Sequence, residues 1–181
     1  YDYNIKSRSE LFRKLHTGEI DIAAGELSHT FDRGKYVYFS NTYVQLQQSL
    51  IMNKKDVVEL GIRNNPYKYL SGNPCKIGVQ ADSAYIEYAQ NLFPKADVYE
   101  YPSLQDAMDA LTGNEIIAVI HDDNEIVLLA RKHSEIALNY TVYVLTNKKD
   151  NISIAISPKS PNLCDTVNLH LESDGLLFDV N

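Results

Sequence analysis

The stretch Glu10–Gly25, ELFRKLHTGEIDIAAG, is answered some ninety residues later by Asp106–Ile120, DAMDALTGNEIIAVI. Each is an amphipathic run, a Thr-Gly break and a short apolar run containing alanine. The first half of each reads as a helix with one apolar face, and the second as a strand bound for a sheet interior. The Thr-Gly break turns the helix back onto that sheet. Seen twice, the unit predicts two α/β lobes of similar design. The alternative is a single Rossmann-like domain in which the repeat reflects only common helix–strand grammar.

Working outward, Ser7 with Glu10 reads as a capping box for the first helix, and Gly18 as its stop. Ile20–Ala24 reads as a short buried strand, and YDYNI, Tyr1–Ile5, as another before the helix. VQLQQSLIMNKK alternates in part and predicts a long half-buried strand. Residues 56–75 read as a linker with one short helix near Tyr67–Leu70. CKIGVQ and ADVYEY are strands flanking a helix capped by Asp82 or Ser83. Ser103 caps the next helix, with Asp106 three positions on. EIIAVI is a buried strand. DDNEIVLLARKH is a helix with acids first and bases last, as the helix dipole favours. EIALNYTVYVLT and ISIAISP are strands. A helix starting near Pro161 and ending before Gly175 follows, then LLFDV as a final turn. Helices between short apolar strands predict parallel sheets covered on both faces. The long strands near 42–53 and 136–146 are candidates for passing between lobes.

The chain has 181 residues and a formal charge of -7, which argues against nucleic acid as a partner. Thirteen tyrosines and no tryptophan suit either polar clefts or exposed β-structure. Cys75 and Cys164 permit a disulfide or two free thiols. No apolar run is long enough for a membrane helix. G-x-G-x-x-G is missing after the first strand, as are a phosphate loop and G-x-S-x-G. The five histidines show no zinc spacing, so neither metal nor cofactor is expected. His29 and His121 lie at equivalent strand ends, the sole acid–base candidates. The chain reads as a non-enzyme.

Binding candidates are more specific. Arg33, beside Ser28 and Thr30, is a fork suited to a carboxylate; it could equally pair with Asp32. Ser83 stands at a helix start where backbone N–H groups attract an anion, or where it simply caps. Asp122, with Asp123, could meet a ligand ammonium or cap the following helix.

LHTGEIDIAAGELSHTFDRGKYVYFSNTY resembles the bacterial extracellular solute-binding proteins of family 3, the amino-acid-binding type of periplasmic binding protein. The pattern falls on Leu15, Gly18 and Asp21, on Thr30 and Arg33, and on Phe39, Ser40 and Tyr43. KIGVQADSAYIEYA, SLQDAMDALTGNEIIAVIHDD and the segment from Ile152 to Val180 resemble later parts of the same family. The resemblance implies a two-lobed type 2 periplasmic-binding fold, each lobe a sheet flanked by helices and joined by two hinge strands. It implies lobe 1 at 1–50 and 147–181, and lobe 2 at 51–146. A disulfide between Cys75 and Cys164 would then join different lobes and hinder opening, so none is expected. It also implies that a small polar solute, amino-acid-like or carboxylate, binds between lobes. Arg33 and Ser28, with Thr30 beside them, and Ser83 would take its carboxylate and Asp122 its amino group. The implied setting is periplasmic or extracellular, membrane-attached or not, with an ABC transporter permease or a membrane receptor as partner. The alternative is a sensing or regulatory domain of a membrane histidine kinase or a membrane-bound murein transglycosylase. Two departures stand out. Asp82-Ser83-Ala84 replaces the family's Gly-Ser-Thr, and about forty residues that usually precede YDYNI are not in this sequence.

Overall fold

The computed structural model describes residues 5–132, 138–175 and 178–179. The strand expected at Tyr1–Ile5 and the final turn at Leu176–Val180 fall largely outside them, as does His133. The chain divides into two units, Tyr1–Leu46 with Lys149–Asn181, and Gln47–Lys148. It crosses from one to the other within strands β3 (Val44–Asn53) and β7 (Tyr140–Ile152).

In the first unit, helix α1 (Arg8–Thr17) begins where the capping box predicts. The Glu10 N–H donates to Ser7 Oγ at 3.1 Å. The Glu10 carboxylate reaches back one residue further than expected, accepting from the Lys6 N–H. Strand β1 (Ile22–Ala23) follows, then helix α2 (Phe31–Gly34) and strand β2 (Tyr38–Phe39). Strand β8 (Ala155–Ile156) lies between β1 and β2, antiparallel to both. Here the parallel sheet expected from sequence is corrected. The partner of β1 is not a neighbour in sequence but a strand that pairs Ala23 with Ala155, far along the chain, and its direction is not encoded locally. Ile22 is 45% exposed, so the strand read as buried is only partly covered. Leu15, Leu27, Val37 and Ala155 form the unit's core. Helix α8 (Asn162–Ser173) starts after Pro161, and strand β9 (Phe178–Asp179) runs parallel to the beginning of β3.

Asp21 and Ser40, both in the motif-bearing stretch of the first unit, help hold it together. The Asp21 carbonyl accepts from the Ser157 N–H at 2.8 Å, and its carboxylate accepts from the Ser160 hydroxyl at 2.6 Å. Ser40 exchanges bonds with Ile154, its N–H donating to the carbonyl and its Oγ accepting from the N–H, both at 2.9 Å. Ser40 is 3% exposed, so this pairing satisfies a polar group that burial would otherwise penalise.

The second unit carries the sheet β5-β4-β6-β3-β7. β4 (Cys75–Gln80) runs parallel to β5 (Ala96–Tyr101) and to β6 (Ala118–Asp122), while β3 is antiparallel to β6. The sheet is therefore mixed rather than wholly parallel. Its two faces are both covered, as expected. Leu50, Met52, Ala118 and Ile120 pack with Tyr85, Ala89 and Phe93 beneath α5 (Tyr85–Leu92). Ile51 and Val119 pack with Met108, Leu111 and Ile126 of α6 (Leu104–Thr112) and α7 (Asp123–Lys132). Because neighbours in a strand point to opposite faces, a doubly covered strand reads as continuously buried. That is why β3 is buried from Gln48 to Met52 instead of alternating.

The supposed linker holds two helices, α3 (Lys54–Glu59) and α4 (Pro66–Gly72). Asn53 caps α3 by accepting from the Lys55 N–H, a signal hidden by the adjoining strand. Ser103 caps α6 as expected. The capping of α5 by Asp82 or Ser83 is corrected. Its N-cap is Ala84, without a side-chain bond, and Ser83 instead donates its hydroxyl to the Gln80 carbonyl.

The repeated unit is also realigned. After α1, Gly18 adopts φ +79, and the Glu19 N–H bonds the Lys14 carbonyl at 2.9 Å. After α6 the same five-residue closure runs from the Glu115 N–H to the Ala110 carbonyl, also at 2.9 Å. There the left-handed residue is Asn114, at φ +58, while Gly113 is right-handed. Gly18 thus corresponds to Asn114, not to Gly113. Both are residue types that take left-handed backbone at little cost. Replacing Gly18 by alanine places a Cβ 2.9 Å from Lys159 Cγ and forces an alanine into that conformation. Gly18→Ala is expected to cost about 1–2 kcal/mol, read as a lower urea midpoint. Asn114→Gly is expected to stay within about 0.5 kcal/mol of the parent.

Candidate functional site

The candidate residues fall into two sets, one in each unit. In the first unit Arg33 sits on the short helix α2, whose N-cap is Thr30. The Arg33 N–H donates to Thr30 Oγ1 at 3.4 Å. The guanidinium lies over the Phe12 ring, 4.8 Å from its centroid, and donates one N–H to the Ser28 carbonyl at 3.2 Å. Ring and carbonyl fix the fork's direction and reduce the rotamer freedom a ligand would have to freeze. The alternative pairing with Asp32 is taken by Lys35. Ser28 and Thr30 are both buried. The Ser28 hydroxyl donates to Asp150 Oδ2 at 2.8 Å, and Asp150 is 1% exposed. Asp150 was not foreseeable, since it lies 122 positions away and no local spacing links the two. His29 stacks on Phe39 with ring centroids 4.4 Å apart, and burial pushes its pKa down.

In the second unit Asp122 ends β6 and is 7% exposed. Its Oδ1 accepts from the Glu125 N–H at 2.8 Å, so it caps α7. Its Oδ2 accepts from the Tyr85 hydroxyl at 3.0 Å. His121 Nδ1 lies 2.9 Å from Oδ2, within charge-pairing reach but off the line of a hydrogen bond. Burial pushes the Asp122 carboxyl up, but His121, the Glu125 N–H and the Tyr85 hydroxyl together outweigh it. The carboxyl is held below its ordinary value of 3.8. His121 Nε2 is 3.2 Å from Gln80 Oε1, and its ring packs on Tyr85 at 4.7 Å. Tyr85 and Gln80 were missed as members of this cluster, although both lie in the segment KIGVQADSAY. Asp123, read together with Asp122, turns elsewhere and accepts from the Ser49 hydroxyl at 3.2 Å.

Ser83 follows Asp82, whose φ is +58. An aspartate here occupies backbone that glycine takes freely, which gives the departure from Gly-Ser-Thr a conformational cost. Removing the Tyr85 hydroxyl tests the cluster. Tyr85→Phe is expected to raise the Asp122 pKa and to cost about 1–2 kcal/mol. Carboxyl-carbon NMR titration and thermal melting read the two effects.

Among the described residues, no group of three or more His, Cys, Asp or Glu side chains could hold a metal ion. Both cysteines are free thiols, and burial raises the pKa of each. No described helix is long and apolar enough to cross a membrane.

One α/β unit carries the arginine that ends the T-x-x-R segment, and the other carries the carboxylate that closes β6. The sequence profile of the bacterial extracellular solute-binding proteins, family 3, matches residues 1–173, and the chain belongs to that family. It is similar to the glutamine-binding protein of Geobacillus stearothermophilus, 26% identical over 156 residues, covering 84% of this chain and 54% of that one. It is also similar to membrane-bound lytic murein transglycosylase F of Pseudoalteromonas translucida (strain TAC 125). There it is 23% identical over 136 residues, 74% of this chain and 28% of that protein. The chain therefore spans about half, or less, of these relatives. The GluR0 ligand-binding core complexed with L-glutamate superposes with a TM-score of 0.76 at 21% identity. That match covers 96% of this chain and 73% of the other and establishes the type 2 periplasmic-binding fold.

Proposed function

We propose that this chain binds a small polar solute of the amino-acid or carboxylate class, outside the cytoplasm, in the service of ABC-type transport. Arg33 takes the ligand carboxylate with the Thr30 hydroxyl beside it, Ser28 and Ser83 join once their hydroxyl protons turn from Asp150 and from the Gln80 carbonyl, and Asp122 takes the amino group. The observation that carries this reading is the state of Asp122. It is a buried carboxylate kept charged at neutral pH in a chain of a solute-binding family. A buried ionised group with remaining acceptor capacity is suited to a cationic partner. The glutamine-binding relative supports an amino-acid-like ligand.

Titration calorimetry of the protein against the twenty L-amino acids and small dicarboxylates tests it. At least one is expected to bind with a dissociation constant in the micromolar range, about −8 kcal/mol. No binding by any of them overturns the reading. The similarity to the transglycosylase favours a second reading, a sensing or regulatory domain attached to a membrane protein. Ligand-dependent uptake in permease-containing vesicles separates the two, since a sensor supports none.

A further inference from the structure

Among the described residues, two buried polar atoms near the end of β6 make no hydrogen bond: His121 Nδ1, which faces Asp122, and Gln48 Oε1 on the strand position opposite it. Gln48 is 2% exposed, and among the described residues nothing donates to its buried Oε1. A buried amide oxygen without a donor costs about 1–3 kcal/mol, so its persistence needs a reason. Its position supplies one. In the antiparallel β3–β6 pair, Gln48 stands directly opposite Asp122. Opposed residues share a sheet face, with Cβ atoms about 5 Å apart. Gln48 also shares its face with Leu50 and Met52, which pack in the cluster that includes Tyr85.

Among the described residues, the surroundings of Asp122 contribute one hydroxyl, one N–H and one imidazole edge. A carboxylate offers about four lone-pair directions, so acceptor capacity remains on it. Among the described residues, the end of β6 with Gln48 Oε1 therefore presents two kinds of acceptor oxygen with unused capacity, a deficit of donors that His121 Nδ1, off the line of a hydrogen bond to Asp122, does not fill. A primary ammonium, with three N–H groups, meets that deficit; a hydroxyl, with one, does not.

We propose that the Gln48 carboxamide is a specificity-determining group that accepts a second N–H from the ligand's ammonium beside Asp122. The inference rests on the functional reading above and names the chemistry it selects, a primary amine over the corresponding alcohol. Gln48→Leu removes the acceptor at similar volume, and Gln48→Glu keeps an acceptor in nearly the same place. Calorimetry with the twenty L-amino acids and their matching α-hydroxy acids, alongside thermal melting, reads the effects.

Gln48→Leu is expected to weaken amino-acid binding at least tenfold while leaving the hydroxy-acid affinity within twofold. Its free form is expected to melt no lower than the parent, because an unsatisfied buried oxygen has been removed. Gln48→Glu is expected to keep the preference for the amine. An unchanged amine-to-alcohol ratio in Gln48→Leu overturns the inference alone, with the functional reading intact. So does an equal loss for both probes with a melting point several degrees lower, which marks a structural amide. Failure of the parent protein to bind any amino acid overturns the functional reading and this inference with it.

Discussion

Arg33→Ala is expected to lower affinity for any carboxylate-bearing ligand by a hundredfold or more. A guanidinium meets a carboxylate with two parallel charged hydrogen bonds, each roughly twice as strong as a neutral one. Alanine removes both bonds and the charge. What the fold itself loses includes the contact with Phe12, about 0.5–1 kcal/mol, and a bond to the Ser28 carbonyl. Arg33→Lys keeps the charge without the fork and is expected to recover only part of the loss, leaving affinity about tenfold weaker. Calorimetry on both variants, with melting curves beside it, separates recognition from folding. Parental affinity in Arg33→Ala sinks the assignment of this residue.

The second large effect is at Asp122, where binding and stability are coupled. Asp122→Ala removes an acceptor of the Tyr85 hydroxyl and of the Glu125 N–H, and with it the cap of α7. A loss of about 2–4 kcal/mol is expected, from one cap and one buried charged hydrogen bond. Asp122→Asn keeps an oxygen for the Glu125 N–H and is expected to fold with a smaller loss, about 1 kcal/mol. It should still bind amines at least a hundredfold more weakly, because the charge is gone. The pH dependence has a definite sign. The folded-state carboxyl lies below 3.8, so its stabilisation is complete above that value and is lost as pH falls through the lower folded value. Melting temperatures of the parent and Asp122→Asn should therefore converge below pH 3.8. A constant gap across that range contradicts the assigned ionisation.

Local chemistry was legible wherever a few adjacent residues suffice. Ser7 and Ser103 announce their helices because a cap needs only a side-chain oxygen and an N–H three residues on. β4, β5 and β6 announce themselves by short apolar or β-prone runs. The Thr-Gly repeat was recognised but set one residue out of register. Sequence displays glycine, whereas the turn requires left-handed backbone, which Asn114 supplies as well.

Among the candidate site residues, the T-x-x-R geometry of Thr30 and Arg33 was readable because a cap and its helix are contiguous. The Ser28–Asp150 bond, the Tyr85–Asp122 bond and the placement of Gln48 opposite Asp122 were not. Each joins residues at least 37 positions apart. Which partner a polar side chain meets across such a separation depends on strand order and direction. The antiparallel course of β3 beside β6, and of β8 between β1 and β2, is decided by packing of the whole chain. Caps and apolar runs are properties of a dozen residues at most, and so they could be read in advance. Strand direction and buried polar partnerships belong to the assembled sheets, because no short segment contains both members of the pair.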